Sequence, residues 1–212
     1  MMKQIKAPIL PMELTKTADI NRLIQTDPYI NGIHFHNCLI ADHHEENIHF
    51  DGCIFENVEF AECEWENLDL LDCVFINSDL SNCKLLGGAI HRVEFRHCRM
   101  MGCDFSGSAL VNITFTQSNA RYANFSGTKL KHIHFDQSDL SLSSFNQSVF
   151  AHASFHECQL KEAEFINTPL KGLDLSTSEI KGITVNVEHL KGVTVSEMQA
   201  LSLARLLGLI IR

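Results

Sequence analysis

Apolar residues recur at every fifth position of this chain, from Ile30 to Val195. Of the 34 positions in that series, only Glu45 is not apolar. A helix, with a period of 3.6, or a strand, with a period of 2, does not produce a strict period of five. The chain must therefore turn at regular intervals and present one large apolar side chain per repeat to a common interior. This pattern predicts a solenoid.

The position two residues before each apolar centre is mostly small or β-branched, as at Cys63, Ser108 and Ala123. Because protein interiors pack near crystal density, a narrow core has room for one large and one small side chain per repeat. The other three positions are rich in Asn, Asp, Glu, Lys, Ser and Gly. Those residue types favour turns and solvent-facing walls.

Pentads such as residues 123–127 (Ala-Asn-Phe-Ser-Gly) and 103–107 (Cys-Asp-Phe-Ser-Gly) show the rule clearly, and about four fifths of the chain resembles the pentapeptide-repeat family. The resemblance implies an all-β solenoid, a right-handed quadrilateral β-helix with four pentads per coil and about eight coils. Residues 20 apart would then stack, at roughly 4.8 Å per coil. Two series have that spacing: Phe35, Phe55, Phe75, Phe95, Phe115, Phe135 and Phe155, and Trp65, Leu85, Phe105, Phe125, Phe145 and Phe165.

Three segments follow from the repeat: 1–29, 30–195 and 196–212. Residues 1–29 lack the repeat, so we predict an N-terminal cap, with a short helix over 17–26 that begins at an N-cap Thr17. A separate functional arm is the alternative for this segment. Residues 30–195 form the β-helix.

The C-terminal segment has the features of a helix. Ser196 is a candidate N-cap, the helix covers 197–207, Gly208 ends it, and 209–211 form a short strand. By resemblance to the family, this segment caps the coil and joins two subunits into a homodimer. The predicted interface residues are Met198, Leu201, Leu203, Leu206, Leu207, Leu209 and Ile211.

Composition favours a cytoplasmic protein that has no membrane partner. Hydrophobic residues make up 45% of the chain, yet no apolar run is long enough to span a bilayer, and the first residues lack a signal-peptide core. All eight Cys fall at the small inward position, so we interpret them as core thiols. No Cys or His spacing matches a zinc pattern, and we expect neither a metal nor a cofactor.

One pentad disturbs the pattern. His43 and Glu45 occupy inward positions, and burying both is costly. We predict an outward bulge made of Asp42, His43, His44, Glu45 and Glu46. It is either an irregular first coil or an exposed contact loop, and the sequence leaves both open.

Acidic residues are concentrated in the first third of the chain. Between Leu23 and Cys83 there are 13 Asp or Glu and no Lys or Arg, although the whole chain has a net charge of −9. An ordinary solvated wall would carry mixed signs, so this excess favours a surface for a strongly basic partner. The predicted acidic face is Glu56, Glu59, Glu62, Glu64, Glu66, Asp69, Asp72 and Asp79.

Two segments narrow the resemblance to the Qnr quinolone-resistance proteins: residues 96–99 (Arg-His-Cys-Arg) and 122–126 (Tyr-Ala-Asn-Phe-Ser). The resemblance implies a DNA mimic that binds DNA gyrase and topoisomerase IV, protects them from quinolones, and does not itself bind nucleic acid. Many Qnr proteins have a loop between these segments, but here residues 105–125 stay in register. The chain is therefore expected to lack that loop.

Two other classes of function are weighed against this hypothesis. The fold does not fix function, so a scaffold for an unrelated basic partner stays open. An enzyme is disfavoured, because a convex rod offers no pocket that excludes water, and the sequence has no phosphate-binding loop or nucleophile motif.

Overall fold

The computed structural model describes residues 5–17, 20, 23–24 and 27–210. The chain winds into a right-handed quadrilateral β-helix of about eight coils. Neighbouring strands from Tyr29 onwards pair at an offset of 20 residues, and the strand Thr15–Thr17 pairs with Ile33–Phe35 at an offset of 18. All of these pairings are parallel, as a coil that always turns the same way requires. The predicted fold class and the 20-residue stacking are confirmed.

Four flat faces follow each other around the coil, and we number them by the apolar centres they contribute. Face 1 contains Ile30, Phe50 and Leu70; face 2 contains Phe35, Phe55 and Phe75; face 3 contains Ile40, Phe60 and Leu80; face 4 contains Glu45, Trp65 and Leu85. Face 3 lies opposite face 1. From Ala89 onwards, each long strand passes around the corner and joins face 1 to face 2.

The strands are short in the first coils and longer afterwards. They are β1 Thr15–Thr17, β2 Tyr29–Asn31, β3 Ile33–His36, β4 Leu39–Ala41, β5 His49–Asp51, β6 Ile54–Glu56, β7 Glu59–Ala61, β8 Glu64–Glu66, β9 Asp69–Leu71, β10 Val74–Ile76, β11 Lys84–Leu86, β12 Ala89–Arg96, β13 Ala109–Thr116, β14 Lys129–Asp136, β15 Val149–His156, β16 Glu164–Phe165 and β17 Thr184–Val185. A 3-10 helix covers Val187–Leu190, helix α1 covers Glu197–Ala204, and a second 3-10 helix covers Arg205–Leu207.

The core is one continuous column of large and small side chains. Rings of the first aromatic series stack on each other from Phe35 to Phe155, with centroid separations of 4.5 Å for Phe55–Phe75 and 4.7 Å for Phe115–Phe135. The second series stacks from Phe105 to Phe165. Such offset stacks add to the stabilisation from burial.

The small inward side chains bond to the coil before them. Ser78 Oγ donates to the Phe55 carbonyl oxygen at 3.1 Å, and Cys53 Sγ lies 3.6 Å from the Ile30 carbonyl oxygen. Seven of the eight Cys are buried and Cys38 is half-buried, in agreement with core thiols. Burial raises the pKa of Cys98 to about 12, so this thiol stays protonated at neutral pH.

The N-terminal region has two parts. Thr15 to Thr17 pair with β3, and Ile20 and Ile24 are buried in the first end of the core. Ile20, Leu23 and Ile24 are helical, but the rest of the helix predicted over 17–26, apart from Thr17 in β1, lies outside the described residues. Residues 5–14, which we call the N-terminal arm, instead run along the outside of the rod.

The arm follows the corner between faces 1 and 2. Pro11 packs on Gly52, the Ile9 N–H donates to Asp72 Oδ1 at 2.8 Å, and the Lys6 N–H donates to Asn112 Oδ1 at 3.3 Å. Six residues of extended chain thus reach from the second coil to the fifth. No sequence signal predicts this placement, because the arm lacks any repeat.

The opposite end is closed by α1. Ser196 is the N-cap, as predicted, and it also forms a capping box with Gln199. The Gln199 amide donates to the carbonyl oxygens of Leu175 and Ser178. Gly208 adopts the predicted left-handed conformation, with φ 74°. The predicted strand over 209–211 is wrong for Leu209 and Ile210, which have no strand partner among the described residues, and Ile211 lies outside them. No described helix is long and apolar enough to cross a membrane.

Candidate protein-binding surface

The 20-residue stacking brings cations onto part of the predicted acidic face. Lys84 pairs with Glu64, Arg92 with Asp72, and Arg99 Nη2 lies 2.9 Å from Asp79 Oδ2. Each cation lies 20 residues, or one coil, after its carboxylate, and each lies after Cys83 in the sequence. The net charge of a sequence segment does not show these pairs. They are apparent when residues 20 apart are compared, because such residues lie side by side on neighbouring coils.

Two further carboxylates have histidine partners. His34 Nε2 lies 2.9 Å from Glu56 Oε2, and His49 Nδ1 lies 3.1 Å from Asp69 Oδ2. Both carboxylates are partly exposed, on face 2 and face 1. They belong to the predicted acidic face by sequence, but they point to different sides of the rod.

Five carboxylates remain on faces 3 and 4 and at the corner between them. We call this group the acidic edge: Asp42, Glu46, Glu59, Glu62 and Glu66. All five residues are exposed, and no ion pair or side-chain hydrogen bond in the described part of the chain involves them. The sequence predicted an acidic third of the rod, and five of its carboxylates without an ion pair lie on these two adjoining faces, whereas Asp51, which accepts from the Tyr29 hydroxyl, lies on face 1.

Charges on this edge oppose each other directly. Glu46 bridges to Glu66 on the next coil, and Glu59 bridges to Asp79. Like charges in such opposite positions destabilise a sheet. Five charges over two coils, each about 4.8 Å high, correspond to about one negative charge per 2 Å of rod axis. Duplex DNA has a similar linear charge density, with one negative charge per ~1.7 Å of helix axis.

The predicted outward bulge at the disturbed pentad is wrong. His43 is buried and its Nδ1 lies 2.7 Å from Glu45 Oε1, while Trp65 Nε1 donates to Glu45 Oε2 at 3.2 Å. The backbone keeps its ladder bonds, since the Glu64 N–H donates to the His43 carbonyl oxygen at 2.8 Å. Because the two polar groups satisfy each other, the pentad stays in the coil. Asp42, His44 and Glu46 still face solvent.

Asp72 also differs from the prediction, because it is not part of an open acidic face. Its side chain is buried under the N-terminal arm, between Arg92 and the Ile9 N–H. Burial opposes ionisation, but the Arg92 guanidinium and the Ile9 N–H outweigh it, and the pKa of Asp72 falls below its ordinary value. This carboxylate fixes the arm and is not available to a partner.

The Arg-His-Cys-Arg segment divides between two faces. Cys98 points into the core, Arg96 pairs with Glu94 on face 2, and Arg99 lies on face 3 with 72% of its side chain exposed. The segment therefore does not form one compact motif. Arg99 borders the acidic edge.

The C-terminal segment presents an apolar surface. Met198, Leu201, Leu206, Leu207 and Leu209 are all exposed, with Met198 at 74% and Leu207 at 60%. Leu203 differs from the prediction, because it packs against the core and is half-buried. Ile211 lies outside the described residues.

Comparison with known proteins identifies the family. The model of pentapeptide repeats in eight copies matches residues 53–86, and that of the pentapeptide repeat region matches residues 88–165. Together these ranges span more than half of the 212 residues. The chain belongs to the pentapeptide-repeat family.

Solved structures to which this chain is similar include QnrB1 and the pentapeptide-repeat proteins HetL and Rfr23. Full-length QnrB1, a plasmid-mediated fluoroquinolone resistance protein, is 23% identical over 92% of this chain and 95% of that chain, with a TM-score of 0.42. HetL from the cyanobacterium Nostoc sp. strain PCC 7120, involved in heterocyst differentiation regulation, is 12% identical over 86% and 98%, with a TM-score of 0.47. Rfr23 from the cyanobacterium Cyanothece 51142 is 11% identical over 83% and 97%, with a TM-score of 0.23. No curated protein matches the sequence.

Proposed function

We propose that this protein binds the type II topoisomerases DNA gyrase and topoisomerase IV as a DNA mimic. The observation that carries the proposal is the acidic edge, with five exposed carboxylates that lack partners along two coils of a slender rod. A basic groove that holds duplex DNA would meet charge of similar linear density. Association would then be fast and sensitive to salt.

The sequence resemblance to the Qnr proteins, at residues 96–99 and 122–126, selects topoisomerases among basic partners. Occupation of the DNA site would reduce poisoning of the enzyme by quinolones, and an excess of the protein would inhibit supercoiling. The function is binding and not catalysis. Because the coil runs through residues 105–125 without the loop of many Qnr proteins, we expect this protein to bind gyrase but to protect it from quinolones differently or more weakly than those proteins do.

The exposed apolar surface of the C-terminal segment supports a homodimer. A continuous patch of Met and Leu at the end of a solenoid is a typical site of protein association. Two rods joined end to end would double the length of the mimic, with an acidic edge near each outer end.

A gyrase supercoiling assay tests the proposal. Purified protein is titrated with and without ciprofloxacin at two salt concentrations, and binding to topoisomerase IV is measured in parallel. Inhibition that weakens at higher salt, or relief of drug poisoning, supports a DNA mimic. No effect at micromolar protein would overturn it and favour a pentapeptide-repeat scaffold that binds an unrelated basic protein.

A further inference from the structure

A second exposed feature lies on the same side of the rod as the acidic edge. Met101 on face 3 is 43% exposed, and Tyr122, at the corner between faces 3 and 4, is 53% exposed. The Arg121 guanidinium lies over the Tyr122 ring, 5.5 Å from its centroid. We call Met101, Arg121 and Tyr122 the anchor patch.

The anchor patch continues the line of the acidic edge. The corner positions of successive coils are Asp42, Glu62, Asn82, Gly102 and Tyr122. The corner thus begins with two carboxylates, reaches an aromatic ring at Tyr122 and continues with Leu142 and Glu162. The Asn82 side chain covers Gly102, since a Cβ there would lie 2.6 Å from Asn82 Oδ1.

Tyr122 occupies a backbone conformation that disfavours it. Its φ is 59°, in the left-handed region, where Asn, Asp and Gly are favoured and a bulky residue is strained. Positive φ recurs at the corners of this coil, where Asn and Gly are common but Gln, Glu and His also occur. The Tyr122 ring is exposed and lies outside the core, so it is accessible to a contact outside the fold.

The residue types fit an interface hot spot. Tyr, Met and Arg are enriched in protein interfaces, and hot spots are dominated by Tyr, Trp and Arg. In the coils, exposed large apolar residues are few. Leu39, Met101 and Tyr122 lie on face 3 or at its corner with face 4, whereas Tyr29 and Val149 lie on the opposite face 1. Carboxylates and anchors on one side fit a partner with an apolar pocket beside a basic groove.

We infer that the anchor patch inserts into an apolar pocket bordering the DNA-binding groove of the topoisomerase, while the acidic edge occupies the groove itself. This inference rests on the proposed function. The acidic edge would set the rate of association and its salt dependence, whereas the anchor patch would set the rate of dissociation.

Binding of gyrase to immobilised full-length protein tests the inference. Tyr122→Asn and Met101→Ala are compared with Val149→Ala, an exposed apolar residue of 61% exposure on face 1. We expect each anchor variant to weaken binding at least about tenfold, mainly through faster dissociation and with unchanged salt dependence. The Val149 variant is expected to bind like the unmodified protein.

Stability separates this role from a structural one. Because Asn suits a left-handed turn, thermal unfolding of Tyr122→Asn should occur at the same or a higher temperature while binding falls. Unchanged dissociation of both anchor variants, or an effect only on self-association in sedimentation, would overturn the inference and leave the proposed function intact. Failure of the unmodified protein to bind gyrase would overturn both.

Discussion

Asp72 and Arg92 form a two-point ion pair at the corner that holds the N-terminal arm. Arg92 Nε lies 2.6 Å from Asp72 Oδ1 and Nη2 lies 2.6 Å from Oδ2, and the same carboxylate accepts the Ile9 N–H. The two side chains are 8% and 19% exposed. One side chain thus joins two coils and the arm.

This pair predicts a dependence of stability on pH. Asp72→Asn should lower the free energy of unfolding at pH 7 by about 1.5–3 kcal/mol, the range for hydrogen bonds to charged groups. Since the folded pKa of Asp72 lies below its ordinary value of 3.8, its contribution is present above about pH 4 and is lost as pH falls through the folded pKa. Urea unfolding at pH 7 and pH 3 measures the difference.

Glu94→Gln is the matched control for that measurement. Its partner Arg96 is half-exposed, and exposed ion pairs contribute about 0–1 kcal/mol. A loss for Asp72→Asn that is equal at both pH values, or no larger than that of Glu94→Gln, would refute the stabilising role of the pair.

Gly52 tests the contact between the arm and the corner. A Cβ at this position would lie 2.7 Å from Pro11 Cδ, whereas a Cβ at Gly107 would meet nothing within 4 Å. Both glycines have positive φ, so alanine at either one carries a similar backbone cost, about 1–2 kcal/mol. We predict that Gly52→Ala displaces the arm from the rod and that Gly107→Ala does not. Trypsin should therefore cleave after Lys6 faster in the Gly52 variant only. Equal cleavage of the two variants would argue against the packed arm.

The buried polar pair in the first coils predicts a non-additive effect. Glu45→Leu alone removes an acceptor from both His43 and Trp65 and should destabilise the protein by about 1–3 kcal/mol. Combined with His43→Cys, which restores the usual small inward residue, the loss should be smaller than for Glu45→Leu alone, because the unpaired imidazole is removed and only the Trp65 N–H still lacks its acceptor. Thermal unfolding of the single and double variants measures the coupling. Additive losses would show that the pair does not act as a unit.

The C-terminal surface predicts the oligomeric state. Leu201→Asp with Leu207→Asp places charge on two exposed apolar positions and should convert a dimer into a monomer in sedimentation velocity. Val149→Asp, at an equally exposed position on face 1, should leave the dimer unchanged. A monomer in the unmodified protein would refute dimerisation through this surface.

The period of five and the stacking at 20 residues could be predicted from the sequence, because a uniform repeat leaves one way to bury its apolar centres. The disturbed pentad could not, since the pairing of His43 with Glu45 and Trp65 depends on contacts across coils. The arm carries no periodic signal, and its placement depends on Gly52, Asp72 and Asn112. Of the predicted acidic face, only Glu59, Glu62 and Glu66 remain in the acidic edge. Lys84, Arg92 and Arg99 on the next coil pair with three of the others, and two more contact histidines.

The affinity of gyrase for two charge variants tests the central proposal most directly. The first combines Glu59→Gln, Glu62→Gln and Glu66→Gln in the acidic edge, and the second combines Glu157→Gln, Glu162→Gln and Glu188→Gln in later coils. Both remove three negative charges. At low salt, we predict that the first variant binds gyrase at least about tenfold more weakly than the unmodified protein, and that this difference decreases at high salt. The second variant should lose less than about twofold in affinity. Equal losses, or none, would contradict the acidic edge as the contact.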